Sequence, residues 1–331
     1  MEQSGEQDLV SFANKKAIKR VLIIGVSSYI GSALASGLRE DFDVVGTYYK
    51  SKIRIDGVTA FELDAVDGNR IFEIVKMIAP DAVFFCPGQQ DIDKVQSNVE
   101  EADNLHTKAP ALFFKLPVSN FHFIYFSSDQ VFGNSANENQ MPPFTEINET
   151  APINAYAQTK LQGENLVKSQ TRFTHVLRLS EVFGEPFGTG TFNQKRKTWI
   201  EAVRAHLEAG NKLHFSDEEY RSPLYIGDLV RAMKTYLKSV GPELSLHHLA
   251  SKDMISRYQF AKNMAKHLGF DSDLILKSSD NEKILRAARP RNCALSSAKF
   301  ENDFKFEFQN SEQGIREMAE RLRYGYTKNW N

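Results

Sequence analysis

Two short segments hold side chains whose types and spacing suit proton transfer: Ser127-Ser128-Asp129-Gln130-Val131-Phe132-Gly133 and Tyr156-Ala157-Gln158-Thr159-Lys160. The first follows an apolar run, Phe121 to Phe126, that reads as a strand. The second opens a helical pattern, so Tyr156 and Lys160, four apart, share a face that a hydroxyl at a strand end can meet. A Ser-Tyr-Lys trio of this kind moves a proton while a bound cofactor moves a hydride. Lys160 is expected to draw the Tyr156 phenol down from about 10 toward working pH, making it a usable acid or base. Ser128 would hydrogen-bond the carbonyl oxygen being reduced.

The spacing alone is not selective. Tyr-x-x-x-Lys recurs at Tyr48/Lys52, Tyr258/Lys262 and Tyr324/Lys328, and each match taken singly reads equally well as a solvated helix face. Context selects Tyr156, which follows the Ser-Ser-Asp strand end and lies downstream of a glycine-containing strand-to-helix turn. That turn is Val21-Leu22-Ile23-Ile24-Gly25-Val26-Ser27-Ser28-Tyr29-Ile30-Gly31. An apolar run breaks at Gly25 and a helical pattern follows, which is the arrangement that offers backbone N–H groups to a pyrophosphate. Ser28 stands where a strict three-glycine fingerprint has its middle glycine.

In these segments the chain resembles the extended short-chain dehydrogenase/reductases, and within them the dTDP-4-dehydrorhamnose reductase family, which includes the regulatory β subunit of methionine adenosyltransferase. The resemblance runs from about Arg20 to about Arg323. It is carried further by Pro80-Asp81-Ala82-Val83, by Ile92-Asp93-Lys94, by Arg178-Leu179-Ser180-Glu181-Val182-Phe183-Gly184, and most specifically by Arg289-Pro290-Arg291-Asn292-Cys293-Ala294-Leu295 with Lys299-Phe300. The family usually has Tyr where this chain has Gln130, an Asn-Ala-Ala type sequence in place of Cys86-Pro87-Gly88, Asn in place of His106, and an acidic residue near Gln96.

The resemblance implies an α/β fold: a Rossmann-type doubly wound parallel sheet with a smaller interleaved α/β substrate domain. Its expected divisions are a disordered lead-in over 1–19, a dinucleotide-binding domain over 20–184, and a mainly substrate-binding part over 185–331. The catalytic residues it implies are Ser128, Tyr156 and Lys160. Gly25, Ser27, Ser28, Tyr29, Ile30, Thr47, Tyr48, Lys50, Asp64, Ala65, Cys86, Pro87 and Gly88, with Lys160 again, would hold the dinucleotide. Gln89, Ser128, Phe192, Arg221 and Arg289 would meet the substrate. Asp64 is read as lying beside the adenine, with Asp67 the better N-cap for the helix that follows. Arg221 is read as a pyrophosphate contact, against a surface ion pair with Glu218 or Glu219. For Arg289 and Arg291, anion contact and a lock between the two lobes stay open.

The elements that must position these groups alternate regularly. Strand-like runs at Val21–Ile24, Val44–Thr47, Ala82–Phe85, Phe121–Phe126 and His175–Leu179 are apolar throughout, and helical patterns near 29–39, 68–78, 98–116 and 155–168 separate them. That rhythm predicts a parallel sheet covered on both faces. The loop 134–152 reads either as a cover for the site or as a surface insertion. Beyond Gly184 come a helix through Trp199 and Leu207, a short strand near Leu213–Phe215, a helix over 229–238 with Asp228 as N-cap, and helical patterns at 257–268 and 312–323.

Composition bounds the class. At 331 residues with 41% hydrophobic content the chain can bury a large core, and a net charge of −1 gives no footprint for nucleic acid or an anionic membrane. Lys195-Arg196-Lys197, the densest basic group, reads as a solvated loop or helix end. Cys86 and Cys293 cannot form a disulfide framework and fit a reducing, cytoplasmic setting. No stretch reaches the roughly 20 apolar residues of a membrane span, and residues 1–14 lack the apolar segment of a signal peptide. Eight histidines show no metal-ligand spacing; adjacent His247 and His248 in a strand would point to opposite faces.

Three functions compete. The first is NADPH-dependent reduction of a nucleotide-linked 4-keto-6-deoxy sugar in polysaccharide biosynthesis, with no metal expected and a homodimer left open. NADP(H) is expected over NAD(H) because the second strand ends Thr47-Tyr48-Tyr49-Lys50 without a carboxylate, and Lys52 and Arg54 follow. The second is epimerisation; dehydration is disfavoured because Gln130 cannot act as a base. The third is a non-catalytic dinucleotide-binding regulatory subunit.

Overall fold

Runs that are apolar at every position become the central sheet. The computed structural model describes residues 17–117, 120–135, 140–170, 173–185, 189–190, 199–278 and 287–324. Seven parallel strands, β1 (Arg20–Ile24), β2 (Asp43–Tyr48), β3 (Thr59–Glu62), β4 (Ala82–Phe85), β5 (His122–Ser128), β6 (Thr174–Leu179) and β7 (Ser245–Leu249), lie in the order β7-β6-β5-β4-β1-β2-β3. Successive side chains serve opposite faces. Val21 and Ile23 join one buried cluster and Leu22 and Ile24 the other. The α/β doubly wound expectation is met.

The order reverses at β1, which is flanked by β2 and β4. In sheets of this kind ligands sit outside the carboxyl ends of the strands at that reversal. Helix α1 (Tyr29–Leu38) follows β1 and packs against α8 (Ile226–Ser239), contributed by the second half of the chain. Strand β7 also comes from that half and pairs with β6.

Helix boundaries follow the caps. Asp67 accepts from Arg70 N–H and starts α2 (Gly68–Ile78), and Asn154 accepts from Ala157 N–H and starts α6 (Ala155–Lys168). The single helix expected over 98–116 is instead broken. Segments α3 (Ile92–Ser97) and α4 (Val99–Asp103) meet at Asn98, and a π turn at Asn104–Lys108 precedes α5 (Ala109–Phe114). The π turn has a visible cause: the His106 carbonyl accepts the Tyr125 hydroxyl at 3.0 Å.

Helix α7 (Trp199–Glu208) and the strand Leu213–Ser216 stand close to their expected positions. Asp228 does not cap α8. Two-residue strand Leu224–Tyr225 runs straight into the helix, so Tyr225 is the N-cap residue and Asp228 lies in the first turn. There it accepts from Arg231 at 2.6 Å and from Gln309 N–H at 2.9 Å. Beyond it lie α9 (Arg257–Leu268), α10 (Ala298–Phe304) and α11 (Ser311–Tyr324). The described part of loop 134–152 is not a loose insertion. Phe144 is buried, stacks on Phe132 at 4.6 Å and bridges to Leu295, and Glu146 accepts from His248 N–H at 2.8 Å. Among its described residues none lines the main cleft.

Phe192, the Lys195-Arg196-Lys197 group, Lys328 and residues 1–14 lie outside the described residues. Among the described residues no helix is long and apolar enough to cross a membrane, and no cluster of His, Cys, Asp and Glu could hold a metal.

Candidate functional site

A cleft of about 1200 Å³ opens where the strand order reverses. Its walls include Gly25, Ser27, Ser28 and Tyr29 after β1, Tyr48, Tyr49 and Lys50 after β2, Asp64 and Ala65 after β3, and Cys86, Pro87, Gly88 and Gln89 after β4. Each group stands at the carboxyl end of its strand, which is why sequence-distant residues meet there.

The turn at its base is built for close approach. Gly25 has φ +79, a left-handed value that a side chain disfavours, and a β-carbon there would stand 3.2 Å from the Pro87 nitrogen. Ser28, in the place of the middle glycine, has extended backbone and caps α1 by accepting from Gly31 N–H at 3.0 Å. The helix N-terminus therefore faces the cleft capped and ordered. Ile30 is not among the lining residues.

Thr47 departs from its expected part. It is buried, and its hydroxyl oxygen accepts from Gly25 N–H at 3.3 Å, so it braces the glycine turn rather than facing a ligand phosphate. Tyr49 takes the lining position, with the Lys50 ammonium 4.8 Å from its ring centre. Asp64 lines the cleft and accepts from Val66 N–H at 3.2 Å, while Asp67 is the helix cap. Cys86 is partly buried against the core and lines the cleft, and burial of its thiol pushes its pKa up against the pull of Lys160.

Ser128, Tyr156 and Lys160 are not among the residues lining the cleft; Lys160 approaches the Gly88 part of its wall from behind. Ser128 ends β5, and Tyr156 and Lys160 lie on one face of α6, which packs on β5. Lys160 donates to the Phe126 carbonyl at 3.0 Å, lies 5.2 Å from the Tyr125 ring centre, and would be 3.7 Å from a β-carbon at Gly88. Burial pulls its pKa down to about 8, against the opposing pull of Cys86 and Glu164.

Tyr156 does not show the expected lowering. Burial pushes the phenol up to about 12; the Ser128 hydroxyl works against the rise and the Asp129 charge adds to it. Lys160 is not among the causes, because its ammonium is held toward the Phe126 carbonyl.

His106, from the π turn, packs edge-on to Tyr156 with ring centres 5.6 Å apart. Its Nδ1 is 2.9 Å from Thr159 Oγ1, whose own proton goes to the Tyr156 carbonyl at 3.0 Å. Thr159 must therefore accept, Nδ1 carries the proton, and Nε2 is left as a buried acceptor with no partner. Burial first, then the Lys160 charge, lowers the His106 pKa to about 2. The ring is neutral.

The two arginines read as substrate contacts are engaged elsewhere. Arg221 is 3% exposed, which excludes the surface ion pair with Glu218 or Glu219. Its guanidinium donates to the carbonyls of Tyr220 (2.7 Å), Pro290 (2.9 Å) and Arg291 (3.4 Å), with Nε 3.8 Å from Asp129 Oδ2. Holding a phosphate would require giving those bonds up. Arg289 clasps the Asp93 carboxylate at 2.9 and 3.2 Å, joining the Arg-Pro segment to α3; of its two open roles the lock is the one formed. Gln89 lines the cleft and accepts from Asp91 N–H at 3.2 Å. Lining residues that sequence reasoning missed include Lys94, Glu101, Asn104 and Glu181. Lys94 and Glu181 stand inside quoted motifs; Glu101 and Asn104 carry no local signal, since only the break from α4 into the π turn brings them to the cleft.

The RmlD substrate binding domain family matches residues 19–324. The chain is 27% identical to the Haloferax volcanii protein named "Probable low-salt glycan biosynthesis reductase Agl14", over 85% of this chain and 91% of that one. It is 24% identical to methionine adenosyltransferase 2 subunit beta of Danio rerio, over 86% and 84%. The solved structure of dTDP-4-dehydrorhamnose reductase from Bacillus anthracis, in complex with NADP, superposes with a TM-score of 0.71 at 19% identity, covering 91% of this chain and 98% of that one.

Proposed function

Because the chain belongs to the RmlD substrate binding domain family, we propose that it is an NADPH-dependent reductase of a nucleotide-linked 4-keto-6-deoxy sugar. The observation that carries this reading is Ser128 at the end of β5, against the α6 that carries Tyr156 and Lys160, with the Lys160 ammonium 3.7 Å from where a β-carbon would stand on Gly88 of the cleft wall. The residues present fit a dinucleotide: a left-handed Gly25 turn, a capped helix N-terminus, and a cleft at the strand-order reversal.

A bound reduced nicotinamide would supply the hydride for the keto carbon. Tyr156 gives its phenolic proton to the keto oxygen, and its pKa near 12 suits an acid that keeps its proton until the oxygen becomes basic. Ser128 hydrogen-bonds the same oxygen. Lys160, with a pKa near 8, is charged in most molecules at neutral pH and would hold the nicotinamide ribose. The absence of a carboxylate at the end of β2 and the presence of Lys50 favour NADP(H).

The experiment is NADPH oxidation against dTDP-, GDP- and UDP-linked 4-keto-6-deoxy sugars, with Tyr156→Phe as control. Turnover should fall by about 10² to 10⁴ in the variant with NADPH affinity unchanged. A Tyr156→Phe kcat within a few-fold of wild type would remove the trio from the chemistry. The second reading, a dinucleotide-binding regulatory subunit, is favoured by the similarity to methionine adenosyltransferase 2 subunit beta. It predicts tight NADPH binding with no oxidation across the panel.

A further inference from the structure

Ser128 has one hydroxyl proton, and more than one group competes for it. Its Oγ accepts from Gln130 N–H at 3.2 Å and donates to Asp129 Oδ1 at 3.1 Å. The same hydroxyl also acts on the Tyr156 phenol, whose pKa it pulls down against burial. A keto oxygen arriving at this site needs a donor, yet the Ser128 proton already points at a carboxyl group.

That carboxyl group is fixed from every side. Asp129 is 3% exposed, and Oδ2 accepts from Ser180 Oγ at 3.2 Å with Arg221 Nε 3.8 Å away. Arg221 is itself anchored on the carbonyls of Tyr220, Pro290 and Arg291. The other titratable groups facing Asp129 are the Glu181 carboxylate, the buried Cys293 thiol and Tyr156.

We propose that Asp129 is a positioning residue whose protonation decides whether Ser128 offers its proton or its lone pair to the substrate oxygen. As a carboxylate, Asp129 takes the Ser128 proton, and Ser128 can only accept from Tyr156. As a carboxylic acid carrying one proton from solvent, Asp129 donates to Ser128 Oγ, and the Ser128 proton turns to the keto oxygen. No bond to carbon changes in this switch, and the proton returns to solvent when Asp129 ionises. The direction of its pKa agrees: burial raises it, with Arg221 and the Ser128 hydrogen bond opposing and Glu181 adding. This inference rests on the reductase reading for its kinetic part alone.

Asp129→Asn separates the states. The amide oxygen would stay with its donors, Ser180 and Arg221, leaving the NH₂ to donate to Ser128 as the acid does. The expected kcat is within about three-fold of the wild-type low-pH plateau, and the decline of kcat with rising pH assigned to Asp129 disappears. Asp129→Ala, which cannot orient Ser128, should lose tenfold or more. Ser180→Ala removes a hydrogen bond that favours the carboxylate, so the declining limb should move to higher pH. An unchanged limb in Asp129→Asn, or an Asp129→Ala as active as wild type, would overturn the proposal. A readout without turnover keeps the two readings apart: ¹³Cζ-tyrosine NMR of Tyr156, assigned with Tyr156→Phe. Loss of the Asp129 charge should lower the Tyr156 pKa in Asp129→Asn, and an unmoved titration overturns the coupling even if no sugar in the panel is reduced.

Discussion

Nε2 of His106 lies 3.1 Å from the point where a β-carbon would stand on Gly88. The two positions are therefore sterically linked, and they are also two of the places where the chain departs from the usual Ala and Asn of the family it resembles. An imidazole fits between α6 and the cleft wall because position 88 has no side chain.

Gly88→Ala should destabilise by about 1–3 kcal/mol, since His106 is held by Thr159 and has nowhere to retreat. The cost should shrink in a His106→Asn background, with a coupling of about 0.5–3 kcal/mol. Urea unfolding of the four members of the cycle measures it. Strict additivity would mean that the wall and the ring do not touch.

Glu164 and Arg178 form a buried pair with two parallel bonds, 2.9 and 2.8 Å, and Lys168 adds a contact at 3.0 Å. Glu164→Ala leaves an unpaired guanidinium under β6 and should cost about 3–5 kcal/mol. Replacing both partners with Leu and Met should cost less, because no charge is then stranded. The comparison requires only denaturant midpoints with equal slopes.

Lys50 is exposed, lies on Tyr49, and lines the cleft beyond β2. Lys50→Glu should weaken NADPH by one to two decades and NADH far less, as expected for a charge-assisted contact worth about 1.5–3 kcal/mol. Fluorescence titration of both reduced cofactors is the measurement. Parallel losses for the two would take Lys50 away from the 2′-phosphate.

Four buried histidines set the acid response. Burial lowers His106 to about 2, His248 to about 3, His175 well below its ordinary value, and His247 against the opposing pull of Asp303. Unfolding frees each to bind a proton below about 6.5, so the unfolded state binds more protons and stability falls as pH drops. Each contributes a slope approaching 1.4 kcal/mol per pH unit. The raised carboxyls Asp129, Glu146, Glu185 and Asp228 act in the opposite sense, gaining stability as pH falls through their native pKa values toward about 4. The histidine slope should therefore be clearest between pH 6 and 5. His106→Asn should lower that slope by about one proton, and an identical slope would argue against a neutral buried ring.

Much of the scaffold is legible in the residues. The strands are apolar on both faces because both are covered, and α2 and α6 begin where Asp67 and Asn154 supply caps. What escaped is tertiary. The π turn at His106 depends on a hydroxyl 19 residues later in β5, and the inward turn of Thr47 on the backbone of Gly25. Arg221 resembles a phosphate clamp until the carbonyls of Pro290 and Arg291 are folded against it. Local pattern finds the elements; long-range hydrogen bonds decide which polar groups remain free to act.

Strand β7 gives the sheet a history during synthesis. The edge of β6 stays open until Ser245–Leu249 is made, about 65 residues after Leu179. At roughly 5–20 residues per second that is an interval of about 3 to 13 seconds. Through it the nascent chain presents a buried-type strand, Thr174–Leu179, with unpaired N–H and C=O groups, and an α1 face that lacks α8. A ribosome stalled soon after Gly184 would thus hold a chain with its site-forming strands made and its sheet unclosed, the stage at which a holding chaperone would have most to cover.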